Sequence, residues 1–358
     1  MEEVLKKEIS LSKIMGEAFA QMKRILFKPF RFKKWLKFGF IVFIAEIFSK
    51  GFRNNFDLQG FLREPEGKQF ILAIVAFCKT HLPLVIGMGI ALVIISIILY
   101  FLFLYLSSVF SFVFLDGVVK NKVEIRKSFR ENKQRGFSYF LFNILFGFAC
   151  LLLIFLIDIL PLYLIIKNKF FEQSGFLSIF LVVAGWAVVS LIHLLLIAVI
   201  AFFVEDFVLP IMYKQNLRFK QAWCKFWPIF KSRQKNFFLY LLLKFGLSIV
   251  GAIFAGIVLI IPLIILGLIL SGLFYLAAAT SIGSIEINWA WLLIPFVIVF
   301  TTFSLFAGYI SICLTLPIPV FFRCFSLVFL GKCDEKYLLL KSSKENCSEI
   351  NTKEGRRK

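Results

Sequence analysis

Leu82–Leu115 reads LPLVIGMGIALVIISIILYFLFLYLSSVFSFVFL and contains no Asp, Glu, Lys or Arg. A helix crosses about 30 Å of hydrocarbon with roughly 20 apolar residues, so this run is long enough to span. Lipid offers the backbone no hydrogen-bond partners, so the run reads as a helix. Four other stretches share the property. Phe137–Ile166 carries Asp158 as its only charged residue, and Phe176–Val204, Phe245–Ile285 and Ile287–Phe322 carry none. Trp35–Phe48 is shorter and holds Lys37 and Glu46. The expectation is an all-α polytopic membrane protein with six transmembrane helices, at about 35–50, 83–115, 137–166, 176–204, 237–270 and 290–316.

Composition agrees. Hydrophobic residues make up 60% of the 358, and mean hydropathy is +0.89; a soluble domain is nearer half apolar. The 48 Phe are read as base-composition bias plus lipid-facing filler rather than as a functional set. The N-terminus is charged and amphipathic and lacks the apolar core of a cleavable signal. The first span is therefore expected to act as an uncleaved insertion signal. Seven scattered Cys form no C-x-x-C pair, which points to neither a disulfide framework nor a zinc site.

The net charge of +20 is placed unevenly. The first 13 residues, Lys23–Lys37, Lys120–Arg135, Lys214–Lys235 and the tail after Gly331 hold 32 of the 41 Lys and Arg. The alternate connections hold seven. The positive-inside rule then places both termini and the basic segments in the cytoplasm, and an even number of spans follows. Phe237–Ala278 is long enough for two spans, but Leu259-Ile260-Ile261-Pro262-Leu263 offers no polar turn. It reads as one long helix kinked or broken at Pro262, as the third span is at Pro161.

The chain also repeats itself. Basic, aromatic-studded stretches run into spans that open on Phe38-Gly39, Phe146-Gly147 and Phe245-Gly246. Asp116 and Asp206 precede the second and third copies at the cytoplasmic boundary. Two hairpin units are read, 82–166 and 176–278, within a single membrane domain over 1–331; residues 332–358 form a charged cytoplasmic tail. The chain ends are expected to supply a third hairpin, with the sixth span beside the first. The basic segments are amphipathic. Leu11, Ile14, Ala18, Met22 and Ile25 form one stripe, and Phe219, Trp223, Phe226 and Phe230 another. Such helices are expected to lie in the interface, apolar face in the acyl boundary and cations toward anionic lipid headgroups. Ser248, Ala252 and Gly256 form a small-residue row read as helix packing.

Ionisable residues inside a membrane are costly and mark candidate sites. His193, Glu46 and Asp158 are the intramembrane candidates. His193 can relay protons, although a hydrogen bond to a neighbouring helix is the simpler role. Asp116 and Glu205-Asp206 sit beside Lys and Arg, where ion pairing would fix the turn from span to basic helix. No catalytic residue, cofactor site or metal site is assigned: there is no G-x-S-x-G, H-E-x-x-H or P-loop, and only two His.

Several stretches carry a family resemblance. They are Phe27-Lys28-Pro29-Phe30 with Trp35-Leu36 through Gly39, Glu205-Asp206-Phe207-Val208-Leu209-Pro210-Ile211-Met212-Tyr213, Ala222-Trp223, and Pro319-Val320-Phe321-Phe322-Arg323 through Phe329-Leu330-Gly331. Together they resemble a prokaryotic family of multi-pass membrane proteins with a domain of unknown function, over nearly the whole chain. More distantly, that architecture is similar to the membrane domain of some glycerophosphodiester phosphodiesterases. The resemblance implies residence in the prokaryotic cytoplasmic membrane and no catalytic residue.

The function these features favour is non-catalytic: organising lipids or partner proteins at the cytoplasmic membrane. The expected partners are the bilayer and its anionic headgroups, not nucleic acid, because the positive charge is tied to span ends. The alternatives are a transporter or channel-like permease and a membrane-embedded lipid enzyme.

Overall fold

The computed structural model describes residues 11–46, 80, 82–167, 175–280, 302 and 305–340. Expected span residues 47–50, 290–301, 303 and 304, and the tail beyond 340, lie outside them. No strand occurs among the described residues. The chain runs α1 (Leu11–Phe27), α2 (Phe32–Glu46), α3 (Leu82–Lys120), α4 (Ile125–Ile154), a π-turn (Phe155–Ile159), α5 (Leu160–Lys167), α6 (Phe176–Phe203), a second π-turn (Val204–Val208), α7 (Leu209–Gln215), α8 (Phe219–Ser232) and α9 (Gln234–Thr280). It closes with α10 (Leu305–Thr315) and α11 (Pro317–Cys333).

Four helical stretches are long and apolar enough to cross a membrane: Ile86–Lys120, Ile125–Leu164, Phe176–Gln215 and Gln234–Ile260. The count is five if α10 and α11 form one span bent by 53°. The protein is thus an all-α, multi-pass membrane protein. At 1.5 Å per residue, the 40 residues of Ile125–Leu164 extend about 60 Å. That is twice the hydrocarbon thickness, so α4 carries its charged first turns well clear of the apolar zone.

Proline sets the breaks. Each π-turn ends directly before a Leu-Pro pair, Leu160-Pro161 or Leu209-Pro210. A proline ring collides with the carbonyl four residues back and supplies no N–H, and one wider turn relieves the collision. The N–H of Leu160 reaches back to the Phe155 carbonyl, and that of Leu209 to the Val204 carbonyl. The third pair, Leu316-Pro317, falls at the 53° bend. By contrast, α9 stays helical through Pro262, as the single long helix read from the sequence.

The buried core gathers at one end of the bundle. Phe112, Leu115, Phe207, Leu209, Phe325 and Phe329 are fully buried there. Along the rest of α3, α4, α6 and α9, large apolar side chains such as Leu92, Leu151, Leu191 and Ile253 are exposed. So large an apolar surface marks a membrane contact; this belt faces lipid.

The amphipathic stripes differ from expectation. Ile14, Ala18, Met22 and Ile25 are buried because α1 lies along α11, and Lys332 reaches Glu17 at 3.1 Å. On α8, Ala222 and Phe226 are buried, and Phe226 stacks on Phe207 at 5.8 Å. Both stripes therefore dock on protein instead of the acyl boundary. An apolar face satisfies either environment, and here the helix ends of α6 and α11 supply a closer-packed partner.

The second helix meets the second-last, α2 against α10. Trp35 donates Nε1–H to the Cys313 carbonyl at 2.8 Å, and Tyr309 donates to the Leu36 carbonyl at 3.0 Å. Gly39 faces the Cys313 side chain so closely that a Cβ there would overlap the sulfur. The other two glycines of the repeat, Gly147 and Gly246, have nothing within 4 Å of such a Cβ. The shared aromatic-glycine spacing does not carry shared packing.

Candidate functional site

Two left-handed turns organise the charged end. Asn121 (φ 54°) follows α3 and Asn216 (φ 55°) follows α7. Asn tolerates this conformation better than most residues. Each side-chain oxygen also accepts from a cation: Asn121 from Lys34 at 2.7 Å, and Asn216 from Arg135 at 2.7 Å. Lys34 further donates to the Ile25 carbonyl at 2.6 Å, locking the α1–α2 turn. Burial, with Arg31 nearby, lowers the Lys34 pKa from its ordinary value.

Asp116 is buried between α3, α4 and α7. It accepts from the hydroxyls of Ser128 and, at 2.5 Å, Tyr213, and pairs with Lys120 at 2.8 Å. The Arg135 guanidinium lies over the Tyr213 ring at 5.5 Å. Asp116 thereby ties a span end to the basic stretch after it.

Asp206 plays the matching part between the second π-turn and α9. Its Oδ2 accepts from Tyr240 at 2.9 Å and pairs with Lys244 at 2.5 Å. The Lys244 ammonium also sits 3.9 Å above the Phe202 ring. Tyr240 is fully buried and stacked on Phe325 at 4.8 Å.

The neighbouring Glu205 has a second partner. Its carbonyl would bond five residues on within a π-turn, but that residue is Pro210, which has no N–H. Arg323 fills the gap: Nη1 donates to the Glu205 carbonyl at 2.9 Å, and Nη2 meets the Glu205 carboxylate at 3.3 Å.

Of these groups, Glu205, Asp206, Lys244 and Arg323 form the floor of a cavity of about 1000 Å³ between α2, α3, α4, α6, α9, α10 and α11. The walls are largely apolar, with Leu104, Val199, Leu242, Phe245 and Ile312 among them. Ser107, Ser111, Tyr139, Asn143 and Thr315 add scattered polar groups. Ser248 and Ala252, read as a packing row, line this space; their small side chains leave it open. Glu46 also lines it.

His193 and Asp158 lie elsewhere, between α6 and the first π-turn. His193 Nδ1 is 3.3 Å from Asp158 Oδ2, so the structure brings these two sequence candidates together. Asp158 Oδ1, His193 Nε2, Trp186 Nε1 and Ser190 Oγ are buried without a hydrogen-bond partner among the described residues. Trp186, Ser190 and His193 share one helix face through their i, i+4, i+7 spacing.

Arg323, Lys244 and Tyr240 were not among the site residues expected from sequence. Arg323 sits in an otherwise uncharged run, Ile287–Gly331, which is a signal that an intramembrane cation deserves a partner. No group of three or more His, Cys, Asp or Glu able to hold a metal occurs among the described residues.

No curated protein and no solved structure matches the chain, so the distant likeness to glycerophosphodiester phosphodiesterases has no support. A family model does match, over residues 12–340: the chain belongs to a family of unknown function, DUF7544.

Proposed function

We propose that the protein is a non-catalytic component of the prokaryotic cytoplasmic membrane that organises lipid by receiving an amphiphile in its cavity. One observation carries this reading: a space of about 1000 Å³ among the long apolar helices has apolar walls and a charged floor. That volume lies at the upper end of small-molecule sites, and its polarity profile matches a tail and a headgroup. The topology we assign has six spans with both termini cytoplasmic, because 32 of the 41 Lys and Arg fall on that side. The basic segments of α1, α4 and α8 attract anionic headgroups at the surface, each cation contributing about 1 kcal/mol.

The test is lipid retention. The full chain is purified in mild detergent and its bound lipid counted by native mass spectrometry. Ala198→Phe with Ala252→Phe fills the cavity and is expected to remove the retained lipid. Equal retention in wild type and the filled variant would sink the proposal.

A permease is the second reading. It is favoured by the buried Asp158–His193 pair, whose unpartnered atoms resemble a proton relay. Proton flux in proteoliposomes that vanishes in His193→Ala would favour it over lipid organisation.

A further inference from the structure

Among the described residues, every charge that lines the cavity already has a partner within the chain. Arg323 gives Nη1 to the Glu205 carbonyl at 2.9 Å and Nη2 to its carboxylate at 3.3 Å. Asp206 holds Lys244 at 2.5 Å and accepts from Tyr240 at 2.9 Å. Glu46 is engaged as well. A charged headgroup of either sign would have to break one of these pairs or sit against apolar walls without a counter-charge, and burying an unpaired charge is costly. The wall hydroxyls are committed in one direction. Ser107 donates to the Ala45 carbonyl at 2.6 Å and Ser111 to the Ser107 carbonyl at 3.0 Å. Ser248 donates to the Phe245 carbonyl at 2.7 Å and Thr315 to the Ser311 carbonyl at 2.9 Å. These are the Ser and Thr among the lining residues. A carbonyl can only accept, so each hydroxyl has given away its single proton and keeps lone pairs alone. Asn143 likewise spends an amide N–H on Ser108 Oγ at 3.1 Å. The wall therefore offers mainly acceptors. Ser248 stands one helical turn beyond Lys244 on α9, so the acceptors begin directly above the charged floor.

We propose that the cavity selects uncharged amphiphiles whose headgroup donates hydrogen bonds. The headgroup is a hydroxyl, as in a long-chain alcohol or an acylglycerol, and it donates to the lone pairs of Ser111, Ser248 and Thr315. This rests on reading the cavity as an amphiphile site and names the ligand class for it. A hydroxyl leaves both ion pairs of the floor intact, because it carries no charge to compete for either partner. It also supplies the proton that the wall hydroxyls no longer have. An ether or a bare ester supplies none and sets acceptor against acceptor. The cavity and the surface then choose different headgroups: the basic segments favour anions and the cavity favours neutral donors.

The experiment uses the full chain in dodecyldimethylamine oxide, a detergent with no hydroxyl to compete. It compares probes that share one tail: dodecanol, dodecyl methyl ether, dodecylamine and dodecanoate. Glycerol is the tail-free polyol. Binding is read by native mass spectrometry and by protection against heat. Dodecanol is expected to bind about fivefold more tightly than the ether, the scale of one neutral hydrogen bond, and more tightly than either charged probe. In Ser111→Ala with Ser248→Ala and Thr315→Val, the alcohol-to-ether ratio falls to about one, whereas Ser111→Thr with Thr315→Ser keeps it. If the triple variant does not fold, Ser248→Ala alone, at an exposed position of α9, lowers the ratio. An unchanged ratio in the folded variant overturns the assignment of the acceptors. Equal binding of alcohol and ether by wild type, or a charged probe that matches the alcohol, overturns the headgroup class while leaving the amphiphile reading standing. Failure of every tailed probe overturns the amphiphile reading itself. Glycerol binding as tightly as dodecanol overturns the tail requirement.

Discussion

The Arg323 guanidinium donates to the Glu205 carbonyl at 2.9 Å, across 118 positions of sequence. It replaces a backbone N–H that Pro210 cannot provide. The bond joins α11 to the second π-turn, and so fixes the floor of the cavity. Leaving a buried backbone acceptor without its donor costs about 1–3 kcal/mol. Arg323→Ala should lose stability on that scale in a detergent melt. In a Pro210→Ala background the helix recovers its own donor, so the same substitution should cost measurably less. A double-mutant cycle reads the coupling, and strict additivity would contradict the account.

Asp116 holds two hydroxyls and one ammonium. Tyr213→Phe removes one donor to a charged group and should cost about 1.5–3 kcal/mol. Asp116→Ala should cost more, because three donors lose their acceptor together. Thermal unfolding of the purified variants ranks them, and a smaller loss for Asp116→Ala than for Tyr213→Phe would be inconsistent with this network.

The three glycines that share one sequence spacing should respond differently to alanine. Gly147→Ala and Gly246→Ala meet nothing within 4 Å and should stabilise, by up to about 1 kcal/mol of helix propensity. Gly39→Ala should destabilise through Cys313, and Cys313→Gly in the same chain should restore it. Gly136 is less forgiving, since a Cβ there would lie 2.9 Å from the Val109 backbone. No side-chain rotation relieves that contact, so Gly136→Ala should be the most damaging of the four.

Removing one member of the Asp158–His193 pair leaves the other buried alone. His193→Leu or Asp158→Leu should each destabilise by about 3 kcal/mol or more, whereas the double leucine variant should be near neutral. Melting temperatures of the three variants test the pattern; a double variant worse than either single one would contradict it.

Orientation is accessible through Cys224, which is exposed on α8. With α8 on the cytoplasmic side, a membrane-impermeant maleimide should label Cys224 in inverted vesicles and not in sealed cells. The buried Cys324 provides the silent reference. Labelling of Cys224 in sealed cells would reverse the topology.

What was legible from sequence was whatever depends on neighbours along the chain. Leu82–Leu115 announces α3 because charge is absent over a length that only lipid or a very large core tolerates. Asp116 and Asp206 stood out for the same local reason, as acids among cations. The cavity was not legible. Ser248 and Ala252 look identical whether another helix fills the space beside them or none does. The stripes of α1 and α8 were read as lipid-facing because burial against protein and burial in acyl chains demand the same side chains. Pro161 and Pro262 signalled disturbed helices, but that Pro210 orphans a carbonyl, and that Arg323 reaches it, depends on packing between distant segments.

The junction of Trp35 with Cys313 spans 278 positions. Ile14, Ala18, Met22 and Ile25 likewise wait for α11, and Gly39 for α10. On the ribosome these early helices emerge long before their counterparts exist. Their docking faces must therefore remain unoccupied, or be shielded by insertion factors, for most of the translation time. The closure of the bundle thus serves as a late checkpoint on synthesis: a chain stopped before α10 retains the four long apolar helices of the described residues yet leaves its earliest segments without a seat.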